Sequence, residues 1–167
     1  MNERPKIKLE FTTFDKTLEI LGWTSLLAIW ALIIANYTNL PEVVPIHYNV
    51  SGQADRFGAK GNVLILPIIA TAIFIGLTIL NKFPHVFNYP TNITVDNALR
   101  QYTNATRMMR YLKFIIVAIF GLIVFQTFRN VYGQTNGLGV WFLPLTLALI
   151  FIPLTYFVIK SYKMTKQ

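Results

Sequence analysis

Cysteine is absent from the 167-residue chain, and histidine occurs twice. The first absence excludes disulfides, thiol nucleophiles and thiolate metal centres. Charge is also scarce, at 13% of residues, against roughly 25% in a typical soluble domain. Acidic residues are scarcer still, seven against fifteen basic ones. Phosphate-binding loops, zinc-protease pairs and nucleophile elbows are missing, because no glycine, histidine or serine cluster has the spacing those devices need. No cofactor and no metal are therefore expected.

What is abundant is apolar surface. Hydrophobic residues make up 54% of the chain and aromatics 14%, more than one soluble core of this size can hide, so bilayer must solvate much of it. The net charge of +8 would suggest nucleic acid in a soluble protein. In a membrane protein the same excess collects in cytoplasmic loops and sets orientation, so no direct nucleic-acid contact is expected.

Four apolar runs carry the architecture. Residues 1–17 are polar and lack the short apolar core and cleavage site of a secretory signal, so the first run is expected to be retained. That run is 18–37, with Glu19 as its one charge. At 1.5 Å per residue, about 20 residues span the ~30 Å hydrocarbon layer. The others are 63–80, 111–128 and 140–159. Lys113, near the start of the third, is expected to snorkel to the interface. Thr71, Thr78, Gln126, Thr146 and Thr155 are the polar groups inside the runs, with Trp30 beside them. They suit helix–helix packing better than an ion path.

Lysine and arginine alternate between the connecting segments. The N-terminal flank has four, 81–113 has five and the C-terminal tail has three, against two in 38–62 and one in 129–139. The positive-inside rule then places both termini and the middle segment in the cytoplasm of a bacterial inner membrane. Within 81–110 the chain changes character at Val95. Val95, Leu99, Tyr102, Ala105, Met109 and Leu112 recur at helical spacing, behind Thr94 as N-cap. Arg100, Arg107 and Arg110 fall on the opposite side. They form a candidate docking face for a cytoplasmic protein, or simply a surface against anionic headgroups.

The outer loop, 38–62, is polar, rich in proline and glycine, and long for a segment without structure. Ile46 to Asn49 alternates like a strand, Ser51-Gly52 marks a turn, and Gln53 to Phe57 returns. His47 and Asp55 are the pair able to act as acid and base or as ligands, with Glu42 as a third group. The plainer reading has His47 packing or hydrogen-bonding at the membrane surface, and Asp55 paired with Arg56 or Lys60 or capping a turn.

This loop, LPEVVPIHYNVSGQADRFGAKG, resembles the signature of a small bacterial membrane domain of unknown function that also opens SdpI-like immunity proteins of the sporulation-delaying toxin system. The resemblance rests on Leu40, Pro41, Pro45, His47, Tyr48, Asn49, Gly52, Asp55, Arg56, Phe57, Gly58 and Lys60, within residues 18–80. It implies a shared outer cap. SdpI-like proteins resist an extracellular toxic peptide and hold a cytoplasmic repressor at the membrane, but they have about six membrane helices.

The expectation is an all-α membrane protein, one membrane domain over 1–167. Four transmembrane helices carry a short ordered extracytoplasmic loop cap and a cytoplasmic amphipathic helix. The leading function is non-enzymatic: the cap recognises a peptide, lipid or protein partner, in immunity or signalling. The alternatives are an accessory subunit of a larger membrane complex, and a metal-dependent membrane enzyme using His47 and Asp55.

Overall fold

The structure, a computed structural model, describes residues 4–165. Four helices dominate it: α1 (Thr13–Asn36), α2 (Ile65–Leu80), α3 (Val95–Val131) and α4 (Phe142–Thr165). All four lie in segments long and apolar enough to cross a membrane, and the chain is a multi-pass integral membrane protein whose apolar helix faces meet lipid. Between α1 and α2 stands an antiparallel hairpin, β1 (Val43–Tyr48) and β2 (Ala54–Ala59).

Local chemistry sets the helix ends. Thr12 caps α1: its hydroxyl accepts from Asp15 N at 3.3 Å, and Thr12 N donates to Asp15 Oδ2 at 3.0 Å. Thr94 and Asn97 repeat this reciprocal arrangement at the start of α3. Pro67 sits in the first turn of α2, where a missing N–H leaves no carbonyl unpaired. Pro153 lies inside α4.

The amphipathic stretch and the third apolar run form one unbroken helix. At 37 residues, α3 is about 55 Å long, and the other three helices pack around it. Gly22 admits the ring of Phe74, whose Cε2 would lie 2.5 Å from any Cβ placed there. Trp30 Nε1 donates to Thr71 Oγ1 at 3.0 Å, tying α1 to α2. Ala70, Phe74 and Val117 close this core with no exposed surface.

α4 runs antiparallel to α3 and is held by polar side chains. Asn104 Nδ2 donates to Phe157 O, and Gln101 Nε2 to Ser161 O, both at 2.9 Å. In an apolar medium, where burying hydrocarbon between helices gains little, such bonds and close packing are what join helices.

The first half of α3 differs from its expected pattern. Val95 and Leu99 are 79% and 53% exposed, whereas Asn97, Gln101, Asn104 and Thr106 are buried. The inward face is polar because its neighbours offer carbonyls and carboxylates. Lys113 does not snorkel. It is fully buried, with Nζ 2.7 Å from Glu19 Oε2 and 2.8 Å from Thr78 Oγ1. Arg107 and Arg110 also turn inward, toward Asp15 and Glu19, so they present no free docking face. Arg100 remains exposed.

Candidate functional site

The candidate site is the cap formed by the hairpin at one end of the bundle. Its strands pair Val43 with Ala59, Val44 with Gly58, Pro45 with Phe57, His47 with Arg56 and Tyr48 with Ala54. That register skips Ile46 on β1 and Asp55 on β2. Pro45 has no N–H to give the ladder, and a skipped residue re-aims the side chains around it. His47 and Asp55 nonetheless stand opposite each other in the register shared by the pairs on either side, with Nδ1 and Oδ1 2.5 Å apart. Both side chains stay partly open, at 45% and 39% exposure.

Asp55 therefore pairs with His47, and neither Arg56 nor Lys60 is its partner. The hydrogen bond from His47 holds the Asp55 carboxyl below its ordinary value of 3.8, so it is an acceptor and Nδ1–H is the donor. Nε2 of His47 is the ring nitrogen left open to another partner. Glu42 is not a third member of this pair. It takes a 2.8 Å bond from Lys60 Nζ and fastens the base of the hairpin. Among the described residues no group of three or more acidic or histidine side chains is placed to hold a metal.

Two further contacts anchor the cap. Tyr48 OH lies 2.7 Å from Thr127 Oγ1 on α3. Thr127 gives its own proton to Ile123 O at 2.9 Å, so Tyr48 is the donor. Burial pushes the Tyr48 phenol up from its usual value of 10.0, which keeps that proton in place. At the tip, Asn49 Oδ1 accepts from Ser51 N and Gln53 N. The next loop then zips onto the turn: Leu138 N donates to Gly52 O at 2.6 Å, and Gln53 bridges Gly137. Gly52 has φ 76° and Gly139 φ 85°, conformations that favour glycine.

Of the residues expected in the site, His47, Tyr48, Asn49, Gly52 and Asp55 come together around the turn and the pair. Pro45 and Gly58 shape the strands, Lys60 fastens the base, and Pro41, Arg56 and Phe57 are exposed. The sequence reading missed the contribution of the 132–141 loop. Its signal was there in Gly133, Gly137 and Gly139, three glycines in seven residues.

Beneath β1 lies an apolar groove of about 440 Å³. Its floor is α3 (Val124, Thr127, Phe128), and its walls are α2 (Ile65, Leu66) and the start of α4 (Phe142). A second hollow of about 480 Å³ continues it past Asp55 to the hairpin tip, sharing His47, Tyr48, Leu138 and Phe142. The arrangement offers an apolar trough with a polar, hydrogen-bonding rim.

A domain of unknown function, DUF1648, matches residues 24–71, from α1 through the hairpin into α2. An uncharacterised protein of Archaeoglobus fulgidus is 30% identical over 114 residues, which is 64% of this chain and 62% of that protein. The chain thus spans less than two-thirds of that relative's length. No solved structure matches. His47, Tyr48 and Asp55 fall inside the domain match, whereas Thr127 and the second loop fall outside it: the chain is similar to a membrane-type domain of unknown function over its α1–hairpin–α2 unit.

Proposed function

We propose that this is a non-enzymatic recognition protein of the membrane, in which the hairpin cap takes an amphiphilic peptide. The observation that carries this reading is the continuous groove under β1, apolar in its depth and rimmed by the His47–Asp55 pair. An apolar side chain suits the trough, and Nε2 of His47, the ring nitrogen that Asp55 leaves open, suits a peptide N–H at the rim. The two-stranded sheet also leaves edge N–H and C=O groups to which an extended chain adds readily. The resemblance of the loop to SdpI-like proteins supports a peptide of extracellular origin, with the cap on the outer face, and an immunity or signalling role.

The test uses living cells that make the full chain with a photocrosslinking residue in place of Ile46, which is 47% exposed on β1. A biotinylated leucine-rich amphiphilic peptide is offered from outside. Labelling is expected to fall at least tenfold in His47→Ala and Asp55→Ala, with membrane levels of the protein unchanged. Equal labelling in both variants refutes the reading, and adducts to lipid alone replace the peptide with a lipid.

A further inference from the structure

At the other end of the bundle five ionisable groups meet inside the protein. Asp15 and Glu19 come from α1, and Arg107, Arg110 and Lys113 from α3. Asp15, Arg110 and Lys113 are 2%, 4% and 0% exposed. Charges so placed are costly unless each is matched.

Matching them in pairs leaves one over. Glu19 is taken by Lys113, whose Nζ donates to both carboxylate oxygens at 2.8 and 2.7 Å. Asp15 is taken by Arg107, whose Nε and Nη2 reach its two oxygens at 3.1 and 3.2 Å. Arg110 is the remainder. Among the described residues it reaches only carboxylates already held by other cations, at 3.5 Å from Asp15 and 3.3 Å from Glu19. Its Nε makes no aligned hydrogen bond. Its guanidinium stacks over Phe11, 4.1 Å from the ring centroid.

The nearby C-terminus of α2 offsets part of this excess through its backbone dipole, roughly half a charge. The rest faces a cavity. A hollow of about 460 Å³ opens beside Arg110, with Lys8 and Lys82 in its lining and Trp23 and Phe11 among its walls. Glu19 also lines it, with its charge committed to Lys113. Asn81 is 9% exposed, and its Oδ1 is a buried acceptor with no partner among the described residues.

We infer that this cavity binds the phosphate headgroup of an anionic phospholipid, in the leaflet on the side of the α2–α3 connection. Three observations converge. The buried cluster beside the cavity is positive by one group, Lys8 and Lys82 add to that charge in the lining, and a guanidinium takes phosphate oxygens in a forked geometry. The cavity lies where α1 begins and α2 ends, lined by Glu19, Trp23, Thr78 and Asn81, and the ends of membrane-spanning helices are where headgroups are met. Its polar complement asks for a donor as well as an anion, since Asn81 Oδ1 accepts. A glycerol headgroup supplies both. The Arg4 side chain donates to His85 O and Phe87 O at 3.2 and 2.6 Å, holding the N-terminal segment across the same end of the bundle as a wall of the site.

Native mass spectrometry of the full chain in detergent tests this, with phosphatidylglycerol, phosphatidylcholine and inorganic phosphate as separate probes. The wild type is expected to retain phosphatidylglycerol roughly tenfold better than phosphatidylcholine, the worth of one charge-assisted contact. Arg110→Gln should erase that preference, and Lys163→Gln, at an exposed position on α4, should keep it. Should Arg110→Gln fail to fold, the double variant Lys8→Gln/Lys82→Gln is expected to weaken the preference at the cavity mouth. Equal retention of the two lipids by the wild type overturns the site. So does an equal loss in Lys163→Gln, and displacement of the lipid by inorganic phosphate makes it a free-anion site instead.

Discussion

His47 and Asp55 show how much a pair owes to the backbone that presents it. They lie eight residues apart, and the register shared by Pro45–Phe57 and Tyr48–Ala54 sets them opposite one another across the hairpin, where their side chains stay bonded despite the local irregularity at His47–Arg56. Their bond also makes a pH prediction. The Asp55 carboxyl titrates below its ordinary 3.8 in the folded chain. A depressed carboxylate contributes stability that is present above the unfolded value and disappears as pH falls through the folded one. The hairpin should therefore keep its full protection from hydrogen exchange at pH 4.5 and lose part of it below pH 3.8. Because both side chains are well exposed, the loss is small. In Asp55→Asn the protection factors of the hairpin amides should no longer change across that interval. An unchanged pH profile in this variant would mean that another group controls the cap.

At the scale of elements, the four membrane helices were legible because each is a run of apolar residues, and a bilayer demands little else of a helix. The hairpin was legible from its alternation and its turn residues. Two features were not. The polar inner face of α3 defied the apolar periodicity, since its buried amide groups donate to carbonyls far along the chain: Gln101 to Ser161 O and Asn104 to Phe157 O. The joining of the two loops left only the clustering of Gly133, Gly137 and Gly139 as its trace in the sequence, because it rests on backbone contacts at glycines. That joint is testable at Gly52. A Cβ there would sit 2.5 Å from Gly139 O, in a backbone conformation of φ 76°. The left-handed conformation alone costs about 1–2 kcal/mol for a residue with a side chain. Gly52→Ala should therefore release the second loop from the hairpin and raise protease cleavage within 132–141. The helical circular dichroism should stay intact. Resistance equal to that of the wild type would show that the loops are held together elsewhere.

For the whole molecule, the arrangement of charge decides which way the two sites face. The start of α1, the α2–α3 connection and the end of α4 share one end of the bundle, and the hairpin cap stands at the other. Twelve of the fifteen lysines and arginines belong to segments of the first end, and three to the second. In the folded chain Asp15 and Glu19 neutralise part of that excess. The topology is set during insertion, when cations count and acids contribute little, so the later pairing leaves the difference between the two ends in force. It follows that the hairpin should face outward and the phosphate site inward. Single cysteines read this directly, since the chain has none of its own. Val50 at the hairpin tip and Val95 at the start of α3 are 78% and 79% exposed, so neither substitution disturbs packing. A membrane-impermeant maleimide should label Val50→Cys in intact cells and Val95→Cys only after the membrane is opened. The opposite pattern would invert the protein and place the groove under β1 beyond the reach of any peptide arriving from outside.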